Sequence, residues 1–396
     1  MRVGIELFDL MPGTNQGINV YSENLAKGLI KIKKNIKIQI YVNQKYYAYA
    51  KKKFKSKNVK IIIYKNNFYK IKKVILHSVI FFNSFKIFNL QKIYKFFKNL
   101  FFLDFKNLIE NNSDILICPN VILNQYNLNI NTLLCIHDIQ HEYLPENFSK
   151  IQLSERLLTR KLSADNCTKL IVSSLYLGRQ CKKYLNIKKE KISVIEEGVD
   201  LDLFATNKKK REISHLNLPS KYLFYPAAFW PHKNHLFLLR AINNLKKKKL
   251  NVNMIFCGLK KNSFKKVDNF INVNKLSNVK YVGNLSNDEL ASVYKRSTGV
   301  IIPSLEESSC LLIKEGIGFK KPIICSDTQT FKEKSRAFKI FLFKKKNITD
   351  LQKNIINIYF KKQIKKKYLA NNYKLLKRYE WSFVAEKFYD ICKKLN

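Results

Sequence analysis

Short apolar runs that stop at small or polar residues, each followed by a helical segment, constrain this chain more than any other feature. Arg2-Val3-Gly4-Ile5-Glu6-Leu7 opens the series and ends in the loop Met11-Pro12-Gly13-Thr14-Asn15-Gln16-Gly17. A helix with Val20, Leu25 and Leu29 on one side follows. Ile36 to Val42 and Val59 to Tyr64 read as the next strands. Ile115 to Cys118 stops at Pro119-Asn120, Leu133 to Ile136 at His137-Asp138, Leu170 to Val172 at Ser173-Ser174, and Ile192 to Ile195 at Glu196-Glu197-Gly198. Runs that are apolar throughout suit strands covered on both faces, and their alternation with helices predicts a parallel α/β sheet.

The pattern then restarts. Tyr222 to Tyr225 leads into Pro226-Ala227-Ala228-Phe229-Trp230-Pro231-His232-Lys233-Asn234, with a helix expected from Leu236 to Leu245. Met254 to Cys257, Val279 to Val282, Gly299 to Ile302 and Pro322 to Cys325 continue the strand series. The 396 residues exceed what one hydrophobic core usually holds, roughly 250–300. Two doubly wound domains are therefore expected, with a boundary near 200–220 in the charged run Asn207-Lys208-Lys209-Lys210-Arg211. Such a tandem predicts a cleft between the carboxyl ends of two sheets, where open α/β folds bind ligands.

The net charge of +45 raises the question of a nucleic-acid partner. The excess is almost all lysine: only nine arginines occur, while Lys, Ile, Asn, Phe and Tyr are enriched together as A+T-rich codons would give. Base reading favours the arginine fork, so no nucleic-acid partner is expected. Between Lys45 and Lys106 basic and aromatic residues interleave, with Lys92, Lys95 and Lys98 at helical spacing beside Ile93, Phe96, Phe97, Phe101 and Phe102. That pattern fits a helix on an anionic membrane surface, but taken in isolation it reads rather as a helix packed on a sheet with a solvated lysine face. No run of about 18 apolar residues exists, and Glu6 interrupts the first apolar run too early for a signal peptide. The eight cysteines form no C-x-x-C pair or Cys/His cluster, which predicts buried thiols, no zinc and a cytoplasmic location.

The sharpest local feature is Pro303-Ser304-Leu305-Glu306-Glu307-Ser308-Ser309-Cys310-Leu311-Leu312-Ile313-Lys314-Glu315-Gly316. A strand ends, a small-residue loop follows and a helix begins around Leu311. Free N–H groups there form an anion site, with Glu307 and Glu315 on either side to accept from hydroxyls. That division suits a nucleotide-sugar. Alone, it reads as two surface glutamates on an amphipathic segment.

The stretch resembles the E-x7-E element of the retaining family-four, or group 1, glycosyltransferases, and further matches occur in order. Gly13 to Asn24 resembles the family's first glycine loop and helix, and Cys135 to Glu146 its HD…HE…PE segment. Ser163-Ala164-Asp165, Val172-Ser173-Ser174, Lys191 to Ile195 and Gly198-Val199-Asp200 resemble the run closing the first domain. Tyr225 to His235, then Tyr281-Val282-Gly283 with Leu290 and Tyr294, and Pro322 to Asp327, resemble the donor domain. The resemblance implies a GT-B fold of two Rossmann-like domains facing a cleft. It implies an acceptor-side domain at 1–204, joined by a C-terminal helix at 380–396 that crosses back, and a donor-binding domain at 205–379.

It also implies hexose transfer with retention, without a divalent metal or other cofactor, the nucleotide-sugar being a co-substrate. By the same resemblance Glu315 would hold the donor ribose, Glu307 the hexose and Lys233 the diphosphate. Ser309, Cys310 and Leu311 would complete the phosphate cradle, Gly17 would allow close approach of the first loop, and His137 would face the sugar. Three departures stand out: Ser308-Ser309-Cys310 where the family has E-G-F-G, Ala227-Ala228-Phe229 where an arginine often precedes the lysine, and Gln16-Gly17 where Gly-Gly is common. His137-Asp138 could also be a strand-end turn capped by the aspartate. A lipid-linked surface glycan, with mannose as the hexose, is the expected acceptor and donor pair. The competing readings are a non-catalytic membrane- or polyanion-binding protein on a degenerate glycosyltransferase fold, and a dinucleotide-dependent oxidoreductase. The second lacks a G-x-G-x-x-G after the first strand.

Overall fold

The structure, a computed structural model, describes residues 1–8, 17–32, 34–65, 68–85, 89–204, 213–361 and 366–396. The loop Met11 to Gln16 and the charged run Asn207 to Arg211 lie outside the described residues. The chain divides into two compact units, Met1–Gly198 with Trp381–Asn396, and Val199–Glu380.

The first unit carries β1 (Arg2–Glu6), β2 (Lys37–Asn43), β3 (Val59–Tyr64), β4 (Ile115–Cys118), β5 (Asn131–Ile136), β6 (Lys169–Val172) and β7 (Ile192–Val194). They form one sheet in the order β3-β2-β1-β4-β5-β6-β7, and every pairing is parallel. Its helices are α1 (Gly17–Lys31), α2 (Tyr47–Lys53), α3 (Tyr69–Asn83), α4 (Gln91–Phe101), α5 (Leu103–Asn112), α6 (Lys150–Asn166) and α7 (Leu175–Tyr184). Side chains alternate across a strand. Ile115 and Ile117 of β4 therefore join one core layer with Leu25 and Leu29 of α1. Leu116 and Cys118 join the opposite layer, with Phe105 and Leu162. That two-sided burial is why these strands are apolar throughout.

The second unit repeats the plan with β8 (Leu223–Pro226), β9 (Met254–Cys257), β10 (Val279–Tyr281), β11 (Gly299–Ile302), β12 (Ile323–Ser326) and β13 (Phe341–Phe343). Their order is β10-β9-β8-β11-β12-β13, all parallel. Around them lie α8 (His235–Lys247), α9 (Phe264–Val273), α10 (Asn287–Arg296), α11 (Leu311–Gly318), α12 (Gln329–Ala337), α13 (Ile348–Tyr359) and α14 (Lys366–Leu376). Strand order reverses between β1 and β4 in one sheet and between β8 and β11 in the other. In open α/β sheets, ligands bind at the carboxyl ends of the strands beside such a reversal.

The last helix, α15 (Trp381–Leu395), belongs to the first unit. Trp381, Val384, Ala385 and Phe388 join the layer formed by α1. Close approach of the two helices depends on Gly28, where an added Cβ would stand 2.5 Å from the Trp381 carbonyl oxygen. Alanine is the better helix former by about 1 kcal/mol. The clash is with backbone that cannot rotate away, so sterics outweigh propensity. Gly28→Ala is expected to destabilise the first unit by about 2 kcal/mol and lower its melting temperature by roughly 5 °C, measured by calorimetry.

Among the described residues, no helix is long and apolar enough to cross a membrane. All eight cysteines are buried and unpaired. The lysine stripe expected on α4 does not form. Lys98 turns inward, donating from Nζ to Asn124 Oδ1 at 2.9 Å and lying 4.3 Å from the Phe102 ring centre. Lys95 donates to Asn166 Oδ1 at 2.7 Å. The exposed stripe of α4 is apolar instead: Ile93, Phe96 and Leu100, joined by Leu103 of α5.

Candidate active site

The second sheet's reversal point assembles the site. After β8 the chain runs over the half-exposed Trp230 into a single tight turn, Pro231–Lys233, and then Asn234 at φ 59°. Asparagine tolerates that left-handed backbone better than most residues. Its Nδ2 donates to the Pro303 carbonyl at 3.2 Å, and the Leu305 N–H donates to the His232 carbonyl at 2.8 Å. The loops after β8 and β11 are thus tied together. Tyr225, buried at the end of β8, donates its hydroxyl to the Lys233 carbonyl at 3.0 Å.

Lys233 Nζ donates to Glu307 Oε1 at 2.5 Å, and both side chains are largely buried. Burial works against the ammonium charge, but the Glu307 carboxylate outweighs it and holds the lysine above its ordinary value. The Glu307 carbonyl accepts from Thr330 Oγ1 at 2.5 Å, which fixes the loop from below. Cys310 lies close enough to both that burial and the Glu307 charge push its thiol up, so it stays a neutral thiol. It begins α11 without a side-chain cap. At the first turn the Ile313 N–H donates to the Cys310 carbonyl at 3.3 Å, and the Leu312 and Ile313 N–H groups also face the Cys310 sulfur. Ser309 is partly exposed in the same loop.

Glu315, one turn into α11, is held from the side. Tyr294 of α10 donates its hydroxyl to Glu315 Oε2 at 2.7 Å. The tyrosine ring is fully buried, stacked 4.9 Å from Phe319 and edge-on to Phe224 at 5.0 Å. Burial raises the Glu315 pKa, and the Tyr294 bond offsets part of that rise.

His137 follows β5 in the first unit. Its Nε2 lies 2.8 Å from the Pro119 carbonyl, which can only accept, so Nε2 is the donor there. Tyr21 meets the ring edge-on at 4.5 Å, and Trp381 meets Tyr21 at 5.2 Å. Asp138 is bonded to Arg156 at 3.4 Å. Burial would raise its pKa, but Arg160 and Arg156 hold it below the carboxylate range. His141 is buried and pushed down to about 3 by burial and by Arg160, so it is a neutral packing residue. Gly17 begins α1, and a Cβ there would meet nothing within 4 Å among the described residues.

The structure brings Lys233, Glu307 and Cys310 together and places Ser309, Leu311 and Glu315 on the same loop and helix. Sequence reasoning missed Tyr225 and Tyr294 as holders of Lys233 and Glu315. For Tyr225 the available signal was a tyrosine in the otherwise apolar, buried strand β8, where a hydroxyl must find a partner; Tyr294 lies on the mostly polar α10 and gave no such signal. A buried ammonium beside a helix N-terminus attracts an anion, and two carboxylates accept from hydroxyls.

Residues 206–375 match the family model described as glycosyl transferases group 1. The O-antigen chain mannosyltransferase RfbU of Salmonella typhimurium is 27% identical over 205 residues, covering 51% of this chain and 54% of the relative. An uncharacterized glycosyltransferase of Methanocaldococcus jannaschii, MJ1178, is 26% identical over 54% of this chain and 62% of its own length. The matches thus span little more than half of these relatives. Among solved structures, Anabaena HepE in complex with UDP-glucose aligns over 100% of both chains at 14% identity and TM-score 0.71. Sucrose-phosphate synthase from Thermosynechococcus elongatus aligns over 100% of this chain and 98% of its own at 14% identity and TM-score 0.73. The α/β two-domain fold is therefore that of the GT-B glycosyltransferases, and residues 206–375 of the second unit match the glycosyltransferases of group 1.

Proposed function

We propose that the chain transfers a hexose from a nucleotide-sugar to a glycan acceptor, with retention at the anomeric carbon and without a divalent metal. The reading rests on one observation above all. A buried ammonium, Lys233, stands at the reversal point of the second sheet, salt-bridged to Glu307. In this reading the donor diphosphate takes up Lys233 and the first N–H groups of α11, around Ser309, Cys310 and Leu311. These groups stabilise the negative charge that grows as the nucleotide leaves. Glu307, released from the lysine, accepts from hexose hydroxyls, and Glu315 holds the ribose. The leaving phosphate helps deprotonate the acceptor hydroxyl on the same face. In the first unit, His137 contacts a sugar hydroxyl.

The names of relatives support the substrate class. RfbU is a mannosyltransferase of the O-antigen chain, and HepE was solved with UDP-glucose. Mannose, a lipid-linked acceptor and a role in surface polysaccharide synthesis are the finer parts of this proposal. So is attachment to an anionic membrane surface on the cytoplasmic side, through the exposed apolar stripe of α4 and its neighbouring lysines. The test is proton NMR of the product formed from a panel of nucleotide-hexoses and a prenyl-linked sugar acceptor. The α-linked donors should yield an α-linked product, and a β-linked product would refute retention.

Tyr294 gives a separable prediction. Tyr294→Phe keeps the packed ring and removes the bond that lowers the Glu315 pKa. Glu315 must be ionised to accept from both ribose hydroxyls, so donor KM rises as pH falls through its pKa. In the variant that acid limb is expected to move to higher pH. At neutral pH donor KM is expected to rise about 5-fold, with kcat nearly unchanged, as one hydrogen bond's worth of about 1 kcal/mol implies. A pH series of donor KM checks it.

A further inference from the structure

Outside the site, the first unit carries an apolar groove that the transfer reaction does not use. It lies along the seam of α3 and α6, has a volume of about 600 Å³, and is lined by Phe81, Phe85, Ile151, Leu153 and Leu157 with Lys150 at its edge. A shallower furrow of about 520 Å³ continues from it along α3 past Val74 and His77 to Lys70 and Lys73. The two share Phe81. Two of the groove's rings are exposed, Phe81 by 43% and Phe85 by 56%. Single exposed apolar residues are ordinary, but a contiguous groove of them marks an interaction site.

The chemistry of the lining selects the occupant. The polar atoms nearest the seam are already satisfied within the protein. Asn83 donates to Ser154 Oγ at 3.0 Å, and that hydroxyl donates to the Ile80 carbonyl at 3.0 Å. The groove thus offers mostly apolar walls that include Lys150, and the furrow continuing from it adds Lys70 and Lys73. A hydrocarbon chain below a negatively charged headgroup matches both features. The volume falls in the range of small-molecule sites, about 300–1,000 Å³.

We infer that the α3–α6 groove takes up one acyl chain of an anionic phospholipid from the bilayer, so that the first unit grips a single lipid as well as resting on the surface. The inference rests on the membrane attachment proposed above, and the experiment separates the two. The full chain carrying Phe85→Trp is mixed with phosphatidylglycerol vesicles whose acyl chains are brominated mid-chain. Wild type, with Trp230 and Trp381 alone, is the reference.

Bromine quenching of the new indole is expected. Adding Leu157→Asn should weaken the quenching about 5-fold, the loss of about 1 kcal/mol of apolar contact, while co-sedimentation with the vesicles changes less. Phe96→Ser with Leu100→Ser, outside the groove, should instead lower co-sedimentation. Co-sedimentation without quenching would overturn the groove assignment and leave membrane attachment standing. Absence of both would overturn the two together. A concentration-dependent dimer abolished by Leu157→Asn would also overturn it, giving the groove to a second copy of the chain.

Discussion

Replacing Lys233 with alanine is expected to lower kcat for sugar transfer by about 10³-fold, the upper range for removing a preorganised charge aimed at the developing anion. The effect should fall on kcat and kcat/KM together, because the negative charge on the diphosphate grows as the glycosidic bond to the sugar breaks. A complication has to be separated out. Lys233 and Glu307 are a mostly buried pair at 2.5 Å, and removing one partner of such a pair costs about 3–5 kcal/mol in stability. The control is Lys233→Met combined with Glu307→Gln, which removes both charges and keeps most of the volume. If the single variant loses activity by unfolding, the double variant should regain the melting temperature while activity stays low. Recovery of activity in the double variant would remove Lys233 from the reaction.

Glu315→Ala is expected to act differently. It should raise donor KM by about 30-fold with only a small change in kcat, since bonds to a carboxylate contribute about 1.5–3 kcal/mol and a ribose far from the reacting bond is held alike before and during reaction. The same variant leaves the Tyr294 hydroxyl without its acceptor in a buried position. Glu315→Gln is therefore the better-tolerated companion, restoring an acceptor for Tyr294 without the charge. Steady-state kinetics with varied donor measures both. A large fall in kcat at unchanged KM would contradict the assignment to the ribose.

The features legible beforehand and those that were not differ for physical reasons. Apolar runs such as Ile115-Leu116-Ile117-Cys118 announced buried parallel strands because both faces of each are covered. The start of α11 at Leu311 was legible because the preceding loop is made of small residues. The edge strand β13 escaped notice because Phe341-Leu342-Phe343 is three residues long and is followed by lysines. Lys98 was misread because a basic residue at helical spacing looks solvent-facing until a distant asparagine, Asn124, is placed opposite it. Tyr294 lies 21 residues from Glu315, so their bond exists only once two parallel strands bring α10 and α11 side by side. The clustering of Lys233 with Glu307, 74 residues apart, could be expected only from the resemblance.

The most direct test of the donor site is a calorimetric titration of UDP-, GDP- and dTDP-hexoses into the wild-type chain and into Glu315→Ala. The account predicts heat with at least one of the three classes and a roughly 30-fold weaker affinity for the same compound in the variant. No heat with any of them, or equal affinity in both proteins, would contradict it.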